Sequence, residues 1–123
     1  MPMTVQSRKA KGRRLQQLVR DTIILNFPGL TPDDVRSTSM GAGGEDVTLS
    51  AKAREVFPFT VECKAQEGYT KLYDAYEQAT SNGAGIPIVV IKSNKKVPLV
   101  TLSLTEFMTL ARAYNDGRTD DKQ

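Results

Sequence analysis

Two short β-prone runs, and the charged residues they carry, constrain this chain more than any other feature. The first, Asp46-Val47-Thr48-Leu49, follows a glycine-rich stretch, Gly41-Ala42-Gly43-Gly44-Glu45. The second, Phe57-Pro58-Phe59-Thr60-Val61-Glu62-Cys63-Lys64, begins after a short insert. Alternate side chains of a strand share a face, so Val61 and Cys63 point one way and Glu62 and Lys64 the other. Pairing the two runs as neighbouring strands brings Asp46 beside Glu62. Two carboxylates with a lysine next to them suit a hard divalent cation, since Mg²⁺ is held by one or two carboxylates with phosphate and water. The ammonium then sits where charge develops on a phosphate. The same acid-x-Lys spacing recurs in Asp120-Asp121-Lys122, inside a polar tail with no strand around it. Context, not the triplet, sets Glu62-Cys63-Lys64 apart. The competing interpretation is an ordinary edge strand with a solvated ion pair.

Composition removes several kinds of chemistry. The 123 residues contain no histidine and a single cysteine. That excludes a Ser-His-Asp triad, a Cys-His pair, a histidine-ligated metal, an internal disulfide and a cysteine-rich zinc site. Cys63 reads as a small core-facing hydrophobe. No apolar run reaches the roughly 20 residues of a membrane helix, and no secretory signal core follows the N-terminus. The chain is expected to be cytoplasmic, with no membrane partner. Seventeen Lys and Arg against fourteen Asp and Glu give a net +3, and the distribution says more than the sum. Arg8, Lys9, Lys11, Arg13, Arg14 and Arg20 fall within the first 20 residues, which hold no acid. Such a cluster marks either a nucleic-acid footprint or a solvated basic arm.

Along the chain, helical spacing of Leu15, Leu18, Val19, Thr22, Ile23 and Leu25 predicts a helix from Ser7 to Leu25, stopped by Phe27-Pro28-Gly29. Thr31-Pro32-Asp33-Asp34 has capping-box chemistry and predicts one short turn before a strand from Val35 to Ser39. Met40 to Gly44 reads as a flexible bend, either a plain hairpin loop or a phosphate cradle. A strand from Asp46 to Leu49, a short helix capped by Ser50 and ending at Val56, and a strand from Phe57 to Lys64 follow. Thr70 reads as the cap of a helix from Lys71 to Thr80, on which Tyr73 and Tyr76 read as packing residues before base-stacking platforms. Ile86 to Ile91 is nearly all apolar, as a strand covered on both faces would be. After a basic turn at Lys95-Lys96 come a strand from Pro98 to Leu102 and, from the capping box Ser103-Leu104-Thr105-Glu106, a helix to Tyr114. Residues 1–7 and 116–123 are expected to be frayed tails of one domain spanning 1–123. The order predicts an α/β fold, with a mixed sheet flanked by helices.

At Asp46, Glu62-Cys63-Lys64 and the helix after them, the sequence resembles the PD-(D/E)xK nuclease superfamily. Within it, the likeness is to small Holliday-junction resolvase-like endonucleases of phage type. It extends from the basic Arg8-Lys9-Ala10-Lys11-Gly12 start, through Arg36-Ser37-Thr38-Ser39, to the strand Ile86 to Lys92. The resemblance implies an αβββαβ restriction-endonuclease-like core, with the last strand and helix appended. It implies Asp46 and Glu62 as catalytic metal ligands, with the Cys63 backbone carbonyl as a further ligand, for Mg²⁺ with Mn²⁺ able to substitute. Lys64 would orient or activate the attacking water. It also implies a homodimer acting on branched DNA, in the host cytoplasm if phage-encoded. One departure stands out. Relatives carry a metal-binding Glu on the first helix, where this chain reads Leu15-Gln16-Gln17-Leu18. Gln16 becomes an auxiliary residue, as does Gln78 on the helix after the triplet, where related nucleases carry a Gln.

Three functions follow in order of preference. The first is a metal-dependent DNA endonuclease, with Arg8, Lys9, Lys11, Arg13, Arg14, Arg36, Ser37, Lys95 and Lys96 gripping phosphates without reading bases. The second is a non-catalytic nucleic-acid-binding module on the same fold. The third is an accessory subunit that binds other proteins.

Overall fold

Helix α1, Val5–Asn26, begins where Thr4 can cap it: the Ser7 amide donates to Thr4 Oγ1 at 3.0 Å. The helix therefore starts before Ser7, because threonine satisfies an orphan amide there. Its buried positions are Gln16, Val19 and Ile23, and Phe27 continues the line just past the helix end. Those intervals follow the 3.6-residue repeat, so Leu18 and Leu25, expected on the apolar stripe, fall on the solvent side instead. The inward face runs through a glutamine.

The computed structural model describes residues 4–38 and 45–121. The remaining elements are β1 Val35–Ser37, β2 Val47–Leu49, α2 Ala51–Val56, α3 Thr70–Asn82, β3 Val89–Ile91, β4 Leu99–Thr101 and α4 Leu104–Asp121. The protein is mixed α/β, with four helices and two small antiparallel sheets among the described residues. The glycine-rich bend expected at Met40 to Gly44, and the end of the first strand at Ser39, lie outside the described residues. No helix among the described residues is long and apolar enough to cross a membrane.

The chain divides into two compact units, residues 1–66 with 111–123, and residues 67–110. In the first, β1 and β2 pair antiparallel with Arg36 opposite Thr48. Helix α1 packs against both strands and α2 against β2. Ile23, Phe27, Leu30, Val35, Val47, Leu49, Ala53 and Phe57 are buried. Phe57 stacks edge-on with Phe27 at 5.7 Å and with Phe59 at 4.8 Å between ring centroids. The aromatic edges supply more than burial area alone. The expected strand from Phe57 to Lys64 is reduced to one antiparallel bridge, Val61 with Val47. Pro58 has no amide to give a ladder, and the Phe59 amide turns back to the Phe57 carbonyl at 2.9 Å.

In the second unit, β3 and β4 form an antiparallel hairpin and α3 packs on β3. Val90 pairs with Val100, and both are exposed. Ile86 to Ile91 is thus not a strand covered on both faces; Pro87 shortens it to Val89–Ile91, and β4 is likewise confined to Leu99–Thr101. The turn between them closes through Lys96 N–H to the Ser93 carbonyl at 3.1 Å, with Lys95 in the left-handed region at φ 63°. Helix α3 begins at Thr70 rather than being capped by it; Tyr69 holds the cap position without a side-chain bond. Helix α4 starts as its capping chemistry requires, the Glu106 amide donating to Ser103 Oγ at 3.1 Å. From Ala111 the helix belongs to the first unit and runs past Tyr114 to Asp121, where Arg118 stacks on Tyr114 and donates to the Glu55 carbonyl at 3.2 Å.

One side chain ties three pieces of the first unit together. Asp34 Oδ2 accepts from the Thr31 amide at 3.0 Å, and Oδ1 accepts from Ser50 Oγ at 2.8 Å. The Ser50 amide also donates to the Asp34 carbonyl at 2.8 Å, while Ser50 Oγ caps α2 through the Ala53 amide at 3.1 Å. The Thr31 amide and the Ser50 hydroxyl hold the Asp34 carboxyl below its ordinary range. A lowered folded value means that this stabilisation is present above the unfolded value and is lost as pH falls through the folded one. Asp34→Asn should therefore melt below wild type at neutral pH. The gap should narrow as the pH falls through the folded value of Asp34, since both proteins then carry an uncharged residue there. Thermal melts across pH check this.

Candidate functional site

Asp46 immediately precedes β2 and is held by the segment that follows α2. Its amide donates to the Val61 carbonyl at 3.3 Å, and its carboxylate Oδ2 accepts from the Cys63 amide at 2.6 Å. The antiparallel bridge of Val47 with Val61, if extended by one residue, would oppose Asp46 and Glu62. Directly opposed residues of an antiparallel pair share a face. The structure therefore brings Asp46 to the backbone of Glu62-Cys63-Lys64, although no regular strand does the carrying.

Glu62 and Lys64 are two-thirds or more exposed, and their ion pair is loose at 3.7 Å. A pair this open to water contributes at most about 1 kcal/mol, so both groups can take other partners. Cys63 is half-buried, and burial first, then the charges of Asp46 and Glu62, push its thiol up. It stays protonated at neutral pH and is a poor nucleophile. Its backbone does the work here, with the amide on Asp46 and the carbonyl available as an oxygen donor.

Around this core stand three residues that the sequence patterns did not single out. Thr38 Oγ1 donates to the Glu45 and Asp46 carbonyls, each at 3.1 Å, and its amide donates to the Asp46 carbonyl at 3.0 Å. Arg54 on α2 forms a charge-assisted bond with the Glu45 carboxylate. That bond, with a smaller contribution from Thr60, keeps the Glu45 carboxyl low and raises Arg54. No spacing rule links positions 45 and 54. Only the fold puts α2 against the start of β2.

Gln16 lies on the buried face of α1 at 3% exposure, whereas Gln17 is exposed. Of the two, Gln16 is the one that faces inward. Gln78 is exposed on α3. Arg8, Lys9, Arg13 and Arg14 are exposed along the first half of α1, and Lys11 is half-buried. Arg36 is exposed on β1 in a loose pair with Asp33 at 3.4 Å, next to half-buried Ser37. Lys95 and Lys96 are exposed at the β3–β4 turn. A separate open cavity of about 430 Å³ lies by the end of α1, lined by Leu30, Lys52, Glu55, Arg112 and Asp116 among others; none of the candidate residues lines it.

Among the described residues, no group of three or more His, Cys, Asp and Glu side chains converges as a metal cage. The donors at the Asp46 edge are two carboxylates and a carbonyl, all oxygen. That set fits a hard cation which keeps water and substrate phosphate in its remaining positions. Asp46 meets this with Oδ1, since Oδ2 is engaged by the Cys63 amide. Comparison with family models, with curated proteins and with solved structures found no match.

Gln16→Glu tests the inward position. A carboxylate at 3% exposure is desolvated, which raises its pKa in the folded protein. Without metal, the variant should melt below wild type, and increasingly so as pH rises through that raised value. Mg²⁺ should restore part of the loss only if Gln16 borders the Asp46 edge. Melts with and without Mg²⁺ at two pH values decide it.

Proposed function

We propose that the protein is a metal-dependent DNA endonuclease that hydrolyses phosphodiester bonds. It would be structure-selective on branched DNA in the manner of Holliday-junction resolvase-like enzymes, and act as a cytoplasmic homodimer. The observation that carries this is the bond from the Cys63 amide to the Asp46 carboxylate, which joins an isolated acid to the centre of an acid-x-Lys triplet across 17 positions of sequence. A restriction-endonuclease-like core is part of the proposal. What supports it is the shared α/β class and the order of α1, β1 and β2 before the triplet.

In this function the Asp46 and Glu62 carboxylates, with the Cys63 carbonyl, would hold the cation. When bound, Mg²⁺ or Mn²⁺ supplies a water of lowered pKa and stabilises the departing oxygen. Lys64, free to leave its loose pair with Glu62, donates a hydrogen bond to the attacking water or to a phosphate oxygen. Arg8, Lys9, Lys11, Arg13 and Arg14, with Arg36, Ser37, Lys95 and Lys96, bind backbone phosphates and carry no base readout. Gln16 and Gln78 are auxiliary, able to orient water but bringing no charge.

One observation favours a second function, a nucleic-acid-binding module without catalysis. The inward residue of α1 is a neutral amide, so the acidic set at the Asp46 edge is one charge short of the family pattern. Cleavage separates the two. Asp46→Asn and Glu62→Gln should each abolish Mg²⁺-dependent cleavage of a four-way junction and, measured without metal, leave DNA affinity equal or higher. Lys64→Ala should keep metal binding and lose turnover, as expected for a group that acts on the transition state. Full activity in Glu62→Gln would refute the endonuclease outright.

The basic helix makes an independent prediction. Replacing Arg13 and Arg14 with Ala should weaken binding to all DNA sequences alike. The slope of log affinity against log salt should flatten by about one unit for each phosphate that is no longer gripped. Titrations at several salt concentrations measure both, and an unchanged slope would leave this surface merely solvated.

A further inference from the structure

The ion pair between Glu45 and Arg54 lies outside every role assigned above, yet it is fastened to the residue on which the proposed function depends. The peptide joining Glu45 to Asp46 is held on several sides. Thr38 binds both carbonyls from the end of β1, and the 61–63 segment binds the Asp46 amide and carboxylate. These bonds come from the chain segments flanking β2. A further charged anchor comes from a helix, through Arg54 on α2 to the Glu45 carboxylate. Helix α2 is itself fixed, capped by Ser50, clasped to Asp34 and buried through Ala53.

We infer that Arg54, acting through Glu45, is a positioning residue that sets the orientation of the Asp46 carboxylate. The inference rests on the endonuclease function proposed above. Arg54 is 43% exposed and Glu45 24%, so as a contribution to folding the pair is small. Its leverage is local. Without it, the Glu45 carboxylate keeps only the weaker bond from Thr60, and the Asp46 carboxylate can turn away from the Cys63 amide.

A mere charge effect makes the opposite forecast for one of the two residues, which gives the test its force. By charge alone, Arg54→Gln leaves Glu45 as an extra anion beside Asp46 and should tighten a divalent cation. Glu45→Gln leaves an extra cation and should weaken it. Positioning weakens metal binding in both. Partners of this kind typically contribute about 10-fold or more to metal affinity.

The experiment is Mn²⁺ affinity, measured by water-proton relaxation on the full chain, with junction cleavage at saturating Mn²⁺ as a second readout. Glu45→Gln, Arg54→Gln, the double variant, Arg54→Lys and Asp46→Asn are compared with wild type. The expected result is about 10-fold weaker Mn²⁺ binding in each single Gln variant, with no further loss in the double, because one interaction is being removed twice. Arg54→Lys, which keeps the charge, should recover part of the loss. Melting temperatures should move by no more than a few degrees. Shifts of opposite sign in the two Gln variants, or full additivity in the double, would overturn the positioning role. So would wild-type Mn²⁺ binding in both while Asp46→Asn binds weakly, and that result would leave the endonuclease standing. Mn²⁺ binding untouched by Asp46→Asn would overturn both.

Discussion

Asp46 is bonded to the segment 61–63 at both its ends, by its amide to the Val61 carbonyl and by its carboxylate to the Cys63 amide. The second bond is charge-assisted and short, and such bonds are about twice as strong as neutral ones. It stands where a ladder of backbone bonds would otherwise join the two runs. Residues 57–64 make one bridge with β2 and no more. The acid therefore has a structural task as well as a proposed chemical one. Its carboxylate is what brings the acid-x-Lys triplet to the edge of β2. This divides the two oxygens, with Oδ2 kept for the backbone and Oδ1 left for whatever the site binds.

The rest of the first unit can be followed outward from that bond. The segment bearing the triplet is tied down at its beginning by Phe57 and Phe59, packed edge-on in a row that reaches Phe27 at the end of α1. It is tied down near its end by Asp46. Between these anchors the backbone is irregular, which a proline at position 58 favours. On the other side, α2 is secured by Ser50, whose hydroxyl accepts from the Ala53 amide to cap the helix and donates to Asp34. A hydroxyl can fill both roles at once, being donor and acceptor. That clasp joins the turn before β1, the end of β2 and the start of α2, and Arg54 extends the connection to Glu45.

What could be read from the sequence was whatever is local. Ser50 and Ser103 were legible as caps because capping needs one side chain and an amide three residues on. The turn at Thr31 to Asp34 and the short strand after it were legible for the same reason. The approach of Asp46 to the backbone of Glu62-Cys63-Lys64 was legible through the pairing of two β-prone runs. Its means were not, since a carboxylate bonding to a backbone amide far along the chain leaves no periodic trace. The apolar run Ile86 to Ile91 misled by pattern. Continuous Ile and Val announce a strand covered on both faces, yet Pro87 trims it to three residues and Val90 is 60% exposed. On α1 the period was right, and Val19 and Ile23 of the expected stripe are buried, but its edges were misplaced. Leu18 and Leu25 drew the stripe toward themselves, while burial follows Gln16, Val19 and Ile23. A glutamine inside such a stripe is invisible to any count of apolar residues.

In the proposed enzyme, that glutamine bears on how folding and metal binding are related. A glutamate at the same depth would be a desolvated charge, tolerable only when protonated or matched by a cation. The apo protein would then be weakened by its own site, and the metal would become part of its stability. An amide removes that burden, because it needs only hydrogen bonds. With Gln16 in place, the two carboxylates of the site are Asp46, stabilised by the Cys63 amide, and Glu62, which faces water. Neither requires a cation for the chain to fold. The first unit can hold the Asp46 edge assembled before any metal arrives, at the expense of one negative charge that would have helped to bind it. In the proposed enzyme, that moves the burden of holding the cation onto the substrate phosphate, so that metal and DNA would bind together more tightly than either binds alone.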